Sequence, residues 1–202
     1  MASALWAPAV SVYDVGGHKP DTLGYRLEHD PCRSIRLASL GTAIAPGATD
    51  YMKSSGLLRS DALDQVRCSI PLDTSEADGK TGGWHMNYTV TVTVALHKEA
   101  DPGIEFEAES RMTELGAVPS IDVLAVPRLG RQAYYIAADA SHAELRVLEG
   151  AAVMSVGLSV GRYYDGDGDV DEIGDGPAFP DLSEFRPAMI DDMRDLMASL
   201  KS

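Results

Sequence analysis

The residues in this sequence best suited to chemistry are carboxylates that alternate with glycine between positions 165 and 172. Such oxygens are the ligands that a hard cation such as Ca²⁺ prefers. An EF-hand loop starting at the first of them needs glycine at its sixth position and glutamate at its twelfth, where this chain has Val170 and Gly176. We therefore interpret the run as a solvated acidic loop, with weak calcium binding as the alternative and no other cofactor. The candidate calcium ligands are Asp165, Asp167, Asp169, Asp171 and Glu172.

Catalytic patterns are otherwise sparse. The five histidines are dispersed, and no HxH or HxxxH pair occurs. His85 and His97 fall on one predicted strand but lie about 40 Å apart along an extended chain. No serine occupies a GxSxG turn, and residues 79–83 contain GKT without the upstream glycine or the following helix of a phosphate-binding loop. We predict that the chain is not an enzyme. A hydrolase with an unrecognised active site remains the alternative, because a Ser-His-Asp triad is assembled in space.

Charge narrows the range of partners. The formal net charge of the 202 residues is −14, which argues against nucleic acid and against anionic membrane surfaces. Residues 165–195 hold eleven acidic residues and two arginines, so nine of the fourteen net negative charges lie in that stretch. No apolar run is long enough to cross a bilayer. Membrane contact is therefore expected only through an anchor N-terminal to this sequence.

The two cysteines are Cys32 and Cys68. Their wide spacing excludes a CxxC redox motif and a cysteine-rich zinc site. From the residues alone, a buried free pair in a cytosolic protein and a structural disulfide in an oxidising compartment both remain open.

Hydrophobic periodicity predicts the elements that carry these residues. Residues 30–41 read as a short helix, with Asp30 as N-cap and Gly41 as C-cap. Residues 84–97 alternate strictly and predict a long antiparallel strand with one buried face. Alternation predicts further strands at 66–72, 123–126, 131–137, 143–148 and 151–160, whereas residues 42–60 read as a loop with a helical turn.

The C-terminal part completes the predicted fold. Residues 163–182 read as the acidic loop, and apolar residues at helical spacing after Ser183 predict an amphipathic helix. We predict an α+β fold: an antiparallel sheet of about five or six strands, with N-terminal and C-terminal helices packed on one face. Residues 1–29 would form an N-terminal arm, and residues 30–202 a single domain.

The order of these signals resembles actinobacterial surface lipoprotein domains of unknown function, the DUF3558-like group. The resemblance covers roughly residues 28–200. Its four features are Asp30-Pro31-Cys32 opening a helix, Cys68 entering the first predicted strand, residues 126–134, which look like the G-L-G-x-x-A turn of that group, and the terminal hairpin followed by an amphipathic helix. Such domains also look similar to the sensor domains of some mycobacterial receptor kinases.

The resemblance implies that Cys32 and Cys68 are paired in a disulfide. It also implies an extracytoplasmic, non-catalytic binding or sensory domain of a cell-envelope protein, whose partner is an unknown protein or small molecule at the cell surface. The chain departs from the group because it lacks a lipobox cysteine near its start and because it has a long acidic insert.

Overall fold

Seven strands form one antiparallel sheet in the computed structural model, which describes residues 19–27, 31–44, 46, 54–73, 83–111, 121–165 and 176–201. Their order across the sheet is β1-β2-β3-β7-β6-β5-β4. The predicted antiparallel α+β fold is therefore confirmed, whereas the predicted number of strands was too low. The strands are β1 Ser54–Arg59, β2 Leu63–Asp73, β3 Trp84–His97, β4 Asp122–Ala125, β5 Gln132–Asp139, β6 His142–Glu149 and β7 Ala152–Tyr164.

Strand β3 is an interior strand of the sheet, next to the central β7, and its burial follows its alternating sequence. It pairs along its length with β2 on one side and with β7 on the other. Its valines are fully buried on one face, whereas the threonines between them are only partly buried on the other. Burial of every second side chain fixes the register, because a slip by one residue would expose the whole apolar set.

The strand that sequence reasoning missed is β1. Its residues, Ser-Ser-Gly-Leu-Leu-Arg, do not alternate, and positions 55–59 are exposed whichever face they point to. The strand exists because its backbone pairs with β2. A tight turn joins the two strands, in which the Ser60 hydroxyl donates to the Leu63 carbonyl at 2.9 Å. Backbone pairing without side-chain burial leaves no periodic signal in a sequence.

The N-terminal helix is divided in two. The structure has α1 at Pro31–Ser34 and α2 at Ala38–Ile44, with three non-helical residues between them. Gly41 lies inside α2 and not at a C-cap, so that prediction was wrong, and the predicted N-cap, Asp30, lies outside the described residues. The division has a tertiary cause, since an acid from the C-terminal helix binds the backbone at the start of α2.

That acid is Asp192, which is fully buried on α4, Arg186–Ser199. Its carboxylate accepts hydrogen bonds from the N–H groups of Ser39 and Leu40, both at 2.9 Å. Burial raises the pKa of the Asp192 carboxyl, and the two backbone donors oppose that shift only in part. The contact stabilises the N-terminus of α2 where a local capping residue would otherwise be needed.

The helices occupy both faces of the sheet. Helices α1, α2 and α4 pack on the face that buries the apolar residues of β2, β3, β6 and β7. Helix α3, Gly103–Glu109, lies against the opposite face, where Phe106 contacts Tyr134. The prediction covered only N-terminal and C-terminal helices on one face, and it did not include α3 on the other. Its seven residues carry little periodic signal, because only Phe106 among them is buried.

The predicted disulfide between Cys32 and Cys68 is confirmed. The two Cα atoms lie 5.6 Å apart, within the range that a disulfide requires. Both residues are buried, with exposures of 2% and 0%. The bond joins α1 to the centre of β2 and closes a sequence separation of 36 residues. It therefore ties the N-terminal helical region to the sheet.

Candidate functional site

The outer face of the sheet, opposite α1, α2 and α4, carries the polar residues of the central strands. Register places Gln65, Ala95 and Val153 in one row across β2, β3 and β7. The next row holds Thr93, Ser155 and Arg146, from β3, β7 and β6. Small side chains at the centre of these two rows leave a shallow depression in the sheet surface, bordered by the longer side chains of Gln65 and Arg146. We call this surface the floor.

Helix α3 covers this floor and leaves a cleft beneath it. The side of the cleft opposite the floor is formed by Pro102, Glu105, Phe106 and Glu109, and His97 closes one end. The cleft has a volume of about 220 Å³. It is a small concave site whose lining residues are mostly polar, supplying carboxylates, a guanidinium, an amide and hydroxyls beside apolar surface.

Local sequence explains why α3 begins where it does. The Asp101 carboxylate accepts a hydrogen bond from the Gly103 N–H at 2.8 Å. The same carboxylate lies 3.7 Å from the Arg131 guanidinium. Phe106 is 2% exposed and anchors the helix, with its ring 5.6 Å from that of Tyr134. The helix is therefore held to the outer face by one aromatic anchor and charged contacts.

Arg146 is the central charged group of the cleft. Its Nη2 lies 2.6 Å from Oε2 of Glu109, and its guanidinium carbon lies 6.0 Å from the centre of the Phe106 ring. The side chain is 22% exposed. Its Nε is buried and has no hydrogen-bond acceptor within the described part of the chain. Buried polar atoms rarely stay unpaired in proteins, so this donor needs an explanation.

The predicted calcium ligands are not brought together by any described contact. Asp165 is exposed, and its Oδ1 lies 2.9 Å from Nε2 of His85. Asp167, Asp169, Asp171 and Glu172 lie outside the described residues. Among the residues that are described, no group of three or more side chains is arranged to hold a metal ion. Weak calcium binding by the acidic loop therefore remains a prediction.

One serine–histidine contact lies elsewhere on the outer face. Nδ1 of His142 and Oγ of Ser159 are 2.9 Å apart, because the two residues pair across β6 and β7. The nearby Asp139 carboxylate binds the N–H and hydroxyl of Ser141, and these bonds lower the Asp139 pKa. Asp139 therefore stabilises the turn between β5 and β6.

His85 and His97 lie at opposite ends of β3, as their sequence separation requires. At one end, the His85 ring stacks on the Tyr163 ring, and the neighbouring Trp84 and Tyr164 rings pack edge to face. At the other end, His97 reaches the cleft under α3. The histidines therefore take part in separate environments.

Sequence reasoning did not identify the cleft residues. The alternation of β3 and β7 indicated which side chains point away from the core, and that signal was sufficient to place Thr93 and Ser155 on the outer face. It did not bring Arg146 beside them, because that requires the β6–β7 register. Nor did it place α3 over the outer face.

Comparisons with known proteins do not assign this chain to a family. No protein-family description, no curated protein and no solved structure matches this chain. Among the described helices, none has the length and apolar character needed to cross a membrane.

Proposed function

We propose that this chain is a non-catalytic, extracytoplasmic binding or sensory domain of a cell-envelope protein, as its resemblance to the DUF3558-like group implies. The observation that carries the proposal is the buried Cys32–Cys68 disulfide. Structural disulfides persist in oxidising environments and are rare in the cytosol of most cells. The bond joins two parts of the core and belongs to the architecture of the domain.

The cleft under α3 supports a binding role. It is concave, its polar groups come from four strands and one helix, and it contains an arginine with an unsatisfied donor. Groups fixed on regular elements orient a ligand well, because their positions are set by strand register and helix packing. The partner is an unidentified small molecule or the polar segment of a protein at the cell surface.

A hydrolase is the second candidate function, and the observation favouring it is the contact between His142 and Ser159. A histidine within hydrogen-bond distance of a serine can act as a general base. A fluorophosphonate probe and a panel of aryl esters test this candidate. The binding-domain proposal expects no labelling and no turnover that depends on Ser159. Labelling and esterase activity that both disappear in Ser159→Ala would instead establish a hydrolase.

The compartment is tested on the native protein in intact cells. A membrane-impermeant amine reagent is applied before lysis, and labelling of the exposed lysines Lys19 and Lys201 is read by mass spectrometry. We expect labelling in intact cells at a level comparable to that of a known surface protein. Labelling only after lysis, as for a cytosolic control, would overturn the extracytoplasmic assignment.

A further inference from the structure

The chemistry of the cleft can be read from the groups that line it. Gln65, Thr93 and Ser155 supply an amide and two hydroxyls, each of which both donates and accepts hydrogen bonds. Glu105 and Glu109 supply only acceptors when ionised, and Arg146 supplies only donors. A ligand matching this set must carry several groups that donate and accept at once, and hydroxyl groups do so.

Charge argues against ionic ligands. The lining holds two carboxylates and one guanidinium, and Glu109 already pairs with Arg146 at 2.6 Å. A carboxylate or phosphate entering the cleft would meet Glu105 and Glu109, and desolvation in a partly enclosed site would strengthen that repulsion. A cation would be attracted by the two carboxylates, but it would be repelled by the Arg146 guanidinium and would have to compete with it for Glu109. A neutral molecule avoids both costs.

The unpaired donor of Arg146 favours a ligand rich in oxygen. Nε of Arg146 is buried and lacks an acceptor among the described groups. A buried donor of this kind costs free energy until an acceptor reaches it. A ligand oxygen that binds the guanidinium after a movement of the side chain has uncovered Nε would remove that cost.

Size and apolar surface complete the match. A volume of about 220 Å³ holds roughly seven waters at about 30 Å³ each, which is the scale of a single sugar ring. The apolar groups Ala95 and Val153 lie beside the polar ones on the floor. Such a surface can contact C–H groups while the polar side chains bind hydroxyls.

We propose that the cleft between α3 and the outer face binds a neutral polyhydroxylated ligand of the size of one monosaccharide unit. This rests on the proposed function, because it assigns a ligand class to that binding domain. Arg146, Glu109 and Gln65 bind the hydroxyls, and Thr93 and Ser155 complete the floor.

The test is protein-observed NMR with ¹⁵N-labelled native chain. The probes are glucose, galactose, mannose and N-acetylglucosamine, compared with glycine, glutamate and succinate. We expect at least one neutral sugar to shift the amides of Thr93, Arg146 and Ser155 in a saturable manner. Arg146→Met should weaken that binding at least about tenfold, since it removes a charged hydrogen-bonding group.

Two further variants separate binding from folding. Thr93→Val changes one hydroxyl on the floor at nearly constant volume and should weaken binding with an unchanged fold. Arg194→Met is the matched control, because Arg194 is an exposed, ion-paired arginine on α4 on the other side of the sheet. It should bind like the native chain.

The proposal is overturned if no sugar shifts the cleft amides, if only the charged compounds do so, or if Arg146→Met and Thr93→Val bind as the native chain does. Binding of a charged compound in the cleft would reject the ligand class and leave the binding domain intact. Surface labelling of the native protein is independent of all these outcomes, so an error in the proposed extracytoplasmic location would be detected separately.

Discussion

Oδ2 of Asp192 accepts a hydrogen bond from the backbone N–H of Leu40 at 2.9 Å, across a sequence separation of 152 residues. Both residues are fully buried. The contact joins α4 to the start of α2, so the C-terminal helix sets where a helix near the N-terminus begins. Together with the disulfide, it fixes the helical layer to the sheet.

The raised pKa of Asp192 predicts a pH dependence of stability. Burial raises the folded-state pKa above the unfolded value of about 3.9. The folded state therefore holds this proton more tightly, and the contribution is full below the unfolded pKa and is lost as pH rises through the folded pKa. In urea unfolding between pH 3 and 8, the stability of the native chain relative to Asp192→Asn should decrease as pH rises.

Asp191→Asn is the control for that series, because Asp191 is exposed and pairs with Arg194 on the same helix. It should keep the pH dependence of the native chain. The measured quantity is the difference in unfolding free energy between the native chain and each variant at each pH. The native profile alone is not sufficient, because hydrogen bonds to Ser141 lower the pKa of Asp139 and give the stability a pH dependence of the opposite sign. A parallel profile for Asp192→Asn and the native chain would contradict the assignment.

Removing the disulfide should cost a large part of the domain's stability. The loop-closure model gives about 4 kcal/mol for a bond closing 36 residues. The double variant Cys32→Ala/Cys68→Ala should lose about that free energy of unfolding in urea. Reductant should lower the stability of the native chain to a similar level and leave the variant unchanged. A loss below about 1 kcal/mol would show that the bond is dispensable.

Two glycines with positive φ form a matched pair. A Cβ at Gly24, with φ of +82°, has nothing within 4 Å, whereas one at Gly150, with φ of +58°, would meet the Asp21 carbonyl and lie 2.8 Å from Cγ of Leu23. Gly24→Ala should cost about 1 kcal/mol of conformational strain. Gly150→Ala should cost more, because it also disturbs the 2.8 Å bond from Ala151 N–H to Asp21. Equal changes in Tm would contradict this.

Helix α3 should open independently of the rest of the domain. Phe106 is its buried anchor on the outer face, away from the main core. Phe106→Ala should therefore raise amide exchange in α3 strongly and leave protection in β3 and β7 close to native. Glu107→Gln, an exposed change in the same helix, is the control. Loss of protection throughout the sheet would show that α3 belongs to the cooperative core.

The sequence predicted the elements that bury one face, such as β3, and it carried no local signal for elements that depend on contacts with distant parts of the chain. Alternation in β3 predicted its bounds and buried face, because the valines must be covered. Strand β1 depends on backbone pairing, and the start of α2 depends on Asp192, so neither had a local signal. The cleft required both the β6–β7 register, which brings Arg146 to Ser155, and the docking of α3 through Phe106.

The central claim is that the disulfide forms in the native compartment, and the thiol state in living cells tests it most directly. Cells are quenched with acid, free thiols are alkylated, and the isolated protein is digested without reductant for mass spectrometry. We predict one linked peptide pair containing Cys32 and Cys68 and no alkylation at either residue. Alkylation of both cysteines, with no linked pair, would contradict the claim and favour an intracellular role.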